Sequence, residues 1–169
     1  MQQQRERLQE ENRIAQYRLQ QEYAERLRAQ QLRIDAERDY DYGRDPYFYT
    51  PPCYRYSRGG RHYETNEYGA RLLRRAVKYG YAEGFRAGEA DREDGWRFSY
   101  KDSYAYQDAN YGYDGYYVDR DDYNYYFREG FRRGYEDGYG SRNQYGSYSE
   151  GKYSMWAEVL SSILNLQSF

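Results

Sequence analysis

Two stretches of this chain carry glycine at every fourth position: Gly80, Gly84 and Gly88 in the first, and Gly130, Gly134 and Gly138 in the second. Larger apolar and aromatic residues keep the same step beside them, with Leu72, Leu73, Ala76, Val77, Tyr81 and Phe85 in one and Phe127, Phe131, Tyr135 and Tyr139 in the other. A four-residue step places them on one helical face. Each interior glycine costs a helix about 1 kcal/mol relative to alanine, so six cost ~6 kcal/mol. Something must offset that, and close approach of a second backbone does so in small-xxx-small interfaces. The pattern therefore predicts two helices packed as an antiparallel pair, glycine groove against aromatic ridge, crossing near about −50° as four-residue ridges favour. Gly80, Gly84, Phe85, Gly88, Gly130, Phe131, Gly134 and Gly138 are the expected packing or assembly residues. Two other arrangements stay open: separate surface helices that tolerate glycine, and pairing of glycine faces between chains into an oligomer or fibre.

The two stretches are copies of one unit. Glu83-Gly84-Phe85-Arg86-Ala87-Gly88 aligns with Glu129-Gly130-Phe131-Arg132-Arg133-Gly134 at an offset of 46, and Tyr79 and Asp91 align with Tyr125 and Asp137. Duplication of a unit rather than random low complexity is implied. This [YF]-x-E-G-[FY]-x-x-G pattern spans a Tyr/Asp/Gly-rich spacer and follows an Arg/Gln-rich segment. It resembles a group of uncharacterised bacterial proteins of acidobacterial-type cell envelopes, over roughly residues 66–169. The resemblance implies a bacterial, exported or envelope setting and carries no catalytic residue.

Around this unit the chain divides into four segments. Residues 1–40 hold 9 Gln, 8 Arg and 8 acidic residues and no Gly or Pro, which predicts one long charged helix. It is either a solvated helix held by Glu–Arg pairs or a weak self-associating coiled coil whose seam would use Leu8, Ala15, Leu19, Tyr23, Leu27 and Ile34. Residues 41–65 read as a flexible Tyr/Pro linker, broken by Pro46, Pro51 and Pro52. Pro51-Pro52-Cys53-Tyr54 matches a PPxY ligand motif, a match that a Tyr-rich segment makes by chance. Residues 66–151 form the two-repeat helical hairpin with a Tyr/Asp loop. Thr65 or Asn66 is placed to cap its first helix, Gly95 to end it, and Asp121 or Asp122 to cap the second. The spacer is expected to be mostly loop, with room for a short strand at Tyr116-Tyr117-Val118. Residues 152–169 read as an apolar C-terminal helix with a stripe of Met155, Trp156, Val159, Leu160, Ile163 and Leu164. That stripe either covers the hairpin or docks to a partner through Trp156, Leu160, Ile163 and Leu164.

Composition narrows the chemistry. Val, Ile, Leu and Phe together number 21 of 169 residues, too few for a conventional aliphatic core, whereas Tyr supplies 27. A net charge of −2 argues against a nucleic-acid binder. With one His and one Cys, multi-cysteine zinc sites and disulfide frameworks are excluded. A Cys53–His62 pair in a linker lacks an orienting third group. The acids Asp114, Asp119, Asp121 and Asp122 lack the order of a calcium loop and enclose Arg120, which suits capping and ion pairing. Glu83 and Glu129 each have an Arg three residues on, so ion pairing rather than acid–base work is expected, without a raised carboxylate pKa. No 18-residue apolar run is present, so no transmembrane segment is expected, and Met1-Gln2-Gln3-Gln4-Arg5-Glu6 lacks the apolar core of a signal peptide.

The sequence thus predicts a mainly α protein with no catalytic, metal or cofactor site. Its expected role is non-enzymatic: a structural or interaction protein that self-associates or binds a cell-envelope polymer through its Tyr/Arg/Asp surface. The alternative is an adaptor that docks a protein partner through its C-terminal tail. Arginine supplies 23 of the 26 basic residues, which suits stacking on tyrosine rings.

Overall fold

The computed structural model describes residues 2–37 and 50–169, and the protein is mainly helical. In chain order the elements are α1 (Gln2–Glu10), α2 (Ile14–Glu37), β1 (Tyr54–Arg58), β2 (Arg61–Thr65), α3 (Glu67–Glu93), α4 (Tyr104–Asp108), α5 (Arg120–Gly140), β3 (Gly146–Ser149), β4 (Lys152–Met155), α6 (Ala157–Leu164) and β5 (Gln167–Ser168).

The glycine ladders pair with each other inside the chain, but not as a hairpin. A methyl group on Gly80, Gly84 or Gly88 would overlap the carbonyl oxygens of Phe127, Phe131 and Tyr135, in ascending order. One on Gly130, Gly134 or Gly138 would overlap those of Val77, Tyr81 and Phe85. Ascending partners in both directions mean that α3 and α5 run parallel. The expected antiparallel pair is corrected on this point. The spacer makes parallel packing feasible. Residues 94–119 start beside the C-terminal end of α5, where the Tyr139 hydroxyl donates to the Trp96 carbonyl at 2.7 Å. They finish at the N-terminal end of α3, where Tyr117 stacks on Tyr68 with centroids 5.6 Å apart. Extended chain of that length more than covers the roughly 40 Å of a 27-residue helix.

The register also departs from the sequence alignment. Gly80 lies against Phe127 and Gly130 against Val77, so the packing exchanges the helices when 50 is added to α3 numbers, not 46. A ladder that repeats every four residues can slide one turn and still oppose glycine to carbonyl. The six glycine Cα–H groups point at carbonyl oxygens. At about 0.5–1 kcal/mol each, such contacts contribute roughly 3–6 kcal/mol, comparable to the helix cost of the glycines.

The core is built from tyrosine. Along α5, Tyr123, Phe127, Phe131, Tyr135 and Tyr139 form a column with successive centroids 6.4, 6.5, 6.4 and 5.8 Å apart. Phe98 meets Tyr135 edge-on at 5.0 Å and Tyr106 meets Phe131 at 5.5 Å. A buried tyrosine needs a partner for its hydroxyl, and acids and carbonyls supply it. Tyr81 donates to Asp137 at 2.8 Å, Tyr23 to Asp108 at 2.7 Å, Tyr123 to the Tyr111 carbonyl at 2.6 Å, and Tyr135 to Asp91.

The flanking segments depart from their expected forms. The N-terminal helix is two helices, broken at Asn12, whose φ is +57°. The Asp94 carboxylate accepts from the Ala15 and Gln16 N–H groups at 2.8 and 3.0 Å, so α3 caps the start of α2. The arm lies on the body: Arg13 reaches Asp91 at 2.7 Å, Arg26 reaches Glu83 at 2.7 Å, and Tyr23 is buried. Leu19 and Leu27 thereby pack against the chain's own core, where a coiled coil would present them to a second copy.

Within the expected linker, residues 54–65 form an antiparallel hairpin with Tyr56 opposite Tyr63. Gly59 and Gly60 have φ of +59° and +77°, as a two-residue hairpin turn requires. Residues 38–49, including Pro46 and the expected end of the first helix at 40, lie outside the described residues. The C-terminal segment is only partly helical. Met155 ends β4, Trp156 precedes α6, and β5 pairs with β1 (Arg55 opposite Gln167). The spacer holds α4 and a turn of 3-10 helix at Tyr100–Asp102, with no strand at 116–118.

Candidate functional site

The sides of an open groove come from two segments that carry no strong periodicity in the sequence. The β1–β2 hairpin supplies Tyr56, Tyr63 and Glu64, and the end of the spacer supplies Tyr113, Tyr116, Tyr117 and Asp119. Its volume is about 770 Å³, and Asp122 and Val118 also line it. The hairpin is fixed to α5 at this point. The Asp122 carboxylate is buried and accepts from the Tyr56 hydroxyl at 2.7 Å and from the Arg58 guanidinium. Tyr63 stacks on Tyr56 at 5.3 Å, with the rings 18° from parallel. The opposite side is held by the Tyr113 hydroxyl, which donates to the Val118 carbonyl at 2.9 Å, and by the Asp114 carboxylate, which accepts from the Tyr116 N–H at 3.0 Å. Tyr117 has φ +73°, a left-handed conformation that a bulky residue rarely adopts. Such outliers persist where the surroundings enforce them and cluster at ligand sites.

The groove's electrostatics are acidic. Asp119 occupies the N-cap position of α5, in place of the expected Asp121 or Asp122, but its side chain makes no cap bond. Glu64 is half exposed, with Arg55 at 3.5 Å. Burial, together with the Asp122 carboxylate, pushes the Tyr56 hydroxyl far above the usual phenol range, so it stays a donor.

Elsewhere buried acids do structural work. Asp137 accepts from Tyr81 and from the N–H groups of Gln144 and Tyr145 at 2.9 and 3.0 Å. Burial raises the pKa of Asp91 although Tyr135 and Arg13 bond its charged form, and burial raises that of Glu83 against Arg26 and Arg86. The sequence pattern pointed to no raised carboxylate, because nothing in it announced burial. It did align Asp91 with Asp137, the one signal that these two acids share a role. The pairing of Glu83 with Arg86 and of Glu129 with Arg132 is present at 3.0 and 3.2 Å.

The remaining candidates are dispersed. His62 is exposed, with Nδ1 2.9 Å from the Ser57 hydroxyl, while Cys53 sits beyond the other end of the β1–β2 ladder, bonded through its backbone to Thr65 and Phe169. Among the described residues no group of three or more His, Cys, Asp or Glu is placed to hold a metal ion, and no helix is long and apolar enough to cross a membrane. Tyr54 of the PPxY match lies in β1, with the Arg74 guanidinium 5.7 Å above its ring. Of the tail residues, Leu164 is buried, Leu160 and Ile163 pack against the core, and Trp156 is 44% exposed. Asn66 caps α3, accepting from Gly69 N–H at 2.9 Å, and Gly95, φ +66°, follows its end, both as expected.

Compared with known proteins, the chain matches no family model, no curated protein and no solved structure.

Proposed function

We propose that this is a non-enzymatic binding protein that holds a neutral polysaccharide, such as a cell-envelope polymer, in the tyrosine groove beside the β1–β2 hairpin. The observation that carries the reading is the groove itself: a site of about 770 Å³ with Tyr56, Tyr63, Tyr113, Tyr116 and Tyr117 along it and Glu64 and Asp119 at hand. Ring faces pack on the apolar faces of sugars, and carboxylates accept from sugar hydroxyls. The lining carries no cation to pair with a uronate or phosphate, which favours a neutral polymer. The envelope setting rests on the resemblance of the repeated motif alone.

Affinity electrophoresis of the full chain through gels cast with a neutral glucan tests this. Retardation by the glucan, lost in Tyr116→Ala and weakened in Glu64→Gln while circular dichroism shows both variants folded, is the expected result. Equal mobility with and without a panel of neutral glucans and N-acetylglucosamine polymers would remove the reading. The adaptor alternative has Trp156 as its support, since Met155, Leu160, Ile163 and Leu164 of the apolar tail stripe pack within the chain.

A further inference from the structure

Arg58 also lines a second cleft, of about 530 Å³, whose charge is opposite in character. Its cations are Arg58, Lys101, Arg128 and Arg132, and its acids are Asp121 and Glu129. Arg58 is committed to Asp122, with Asp121 close enough to favour its charge. Arg132 is committed to Glu129 at 3.2 Å. The other two cations are not neutralised. Arg128 donates from Nε to the Tyr106 carbonyl at 2.9 Å and from Nη2 to the Gln107 carbonyl at 2.7 Å. Those bonds fix the guanidinium without cancelling its charge, and three of its five N–H donors are left over. Neither Arg128 nor Lys101 has an ion-pair partner among the described residues.

The walls between these charges are aromatic. Tyr100 and Tyr106 meet edge-on at 5.3 Å, and Tyr125, 39% exposed, lines the same cleft. A preset guanidinium beside Tyr106, an exposed ammonium beside Tyr100 and the ring of Tyr125 in one concavity suit a ligand with an anion at one end and a ring at the other. We propose that this cleft binds an anionic sugar, with its phosphate or carboxylate between Arg128 and Lys101 and its ring against tyrosine. The site stands independently of the neutral polymer in the tyrosine groove, because the two share neither a ring nor an uncancelled charge.

The test is titration calorimetry on the full chain with glucose 6-phosphate, glucuronate, inorganic phosphate and glucose. At least one anionic sugar should bind about tenfold or more tighter than glucose and weaken as salt is raised. Preference for glucose 6-phosphate or for glucuronate identifies the anion's source as phosphate or carboxylate. Lys101→Gln removes a charge from an exposed side chain and should weaken binding about tenfold, with melting unchanged. Lys152→Gln, which removes an exposed cation outside both grooves, should leave binding intact. Binding of neither anionic sugar above glucose would overturn the proposal. So would Lys101→Gln binding as the wild type does, or inorganic phosphate binding as tightly as glucose 6-phosphate, which would leave the tyrosine walls without a role.

Discussion

At the residue scale the protein turns on a few atoms that cannot be larger or less polar. Gly84→Ala places a methyl group on the Phe131 carbonyl, where the neighbour is backbone and cannot rotate away. A loss of about 3 kcal/mol or more in urea unfolding is expected, at the upper end for a single methyl group. Gly140 is the control. It is exposed at the end of α5 and a Cβ there meets nothing closer than 3.8 Å, so Gly140→Ala should stabilise by up to ~1 kcal/mol. The buried acid Glu83 makes a prediction with a sign. Burial raises its folded pKa above the unfolded value, so its contribution to stability is full below the unfolded pKa and falls as pH rises through the folded one. The stability of wild type relative to Glu83→Gln should therefore be greatest at low pH and decline toward neutral pH. Urea midpoints for both across pH 4–8 measure it, and a difference that grows with pH would refute the assignment.

At the element scale, α2 depends on α3 for its first turn. Asp94→Ala removes the acceptor for Ala15 and Gln16 N–H and should cost about 1 kcal/mol, with early hydrogen exchange confined to the start of α2. Sequence periodicity is informative where one element's own face decides the outcome. The α3 and α5 helices, the Asn66 cap and the Gly95 stop were all legible in this way. It fails where a partner far along the chain decides. The break near Asn12 is enforced by Asp94, and the β1–β2 hairpin is anchored by Asp122 on α5. Gly59-Gly60 was a readable hairpin-turn signal that the surrounding Pro and Tyr obscured. The groove was not legible for the same reason: both its sides are segments without strong period, brought together by α5. The parallel sense of α3 and α5 was hidden as well, since a four-residue ladder fits either direction and only the spacer's path chooses between them.

At the scale of the whole molecule, tyrosine replaces the missing aliphatic residues, and each buried hydroxyl ties the core to an acid or a carbonyl. This makes the fold sensitive to alkali. Burial raises the phenols of Tyr23, Tyr56, Tyr81, Tyr123 and Tyr135 far above the usual range, and lifts Tyr126 to about 12. With folded values above the unfolded value near ~10, their stabilising contribution is complete below that pH and is lost as pH climbs. Absorbance at 295 nm should show one set of tyrosines ionising near ~10 and a second set ionising only with the loss of far-ultraviolet circular dichroism. The glycine faces of α3 and α5 meet each other within one chain.

The central claim is that the two glycine ladders pack side by side in parallel within one chain. Spin labels report it directly, with Cys53 replaced by Ser and cysteines introduced at exposed positions in two pairs. Arg71 with Asp121 probes the N-terminal ends of α3 and α5, and Arg71 with Arg142 probes opposite ends. Parallel packing predicts the shorter distance for Arg71 with Asp121, by roughly 20 Å or more given the rise of 1.5 Å per residue along α5. The shorter distance for Arg71 with Arg142 would mean an antiparallel hairpin and would contradict the account.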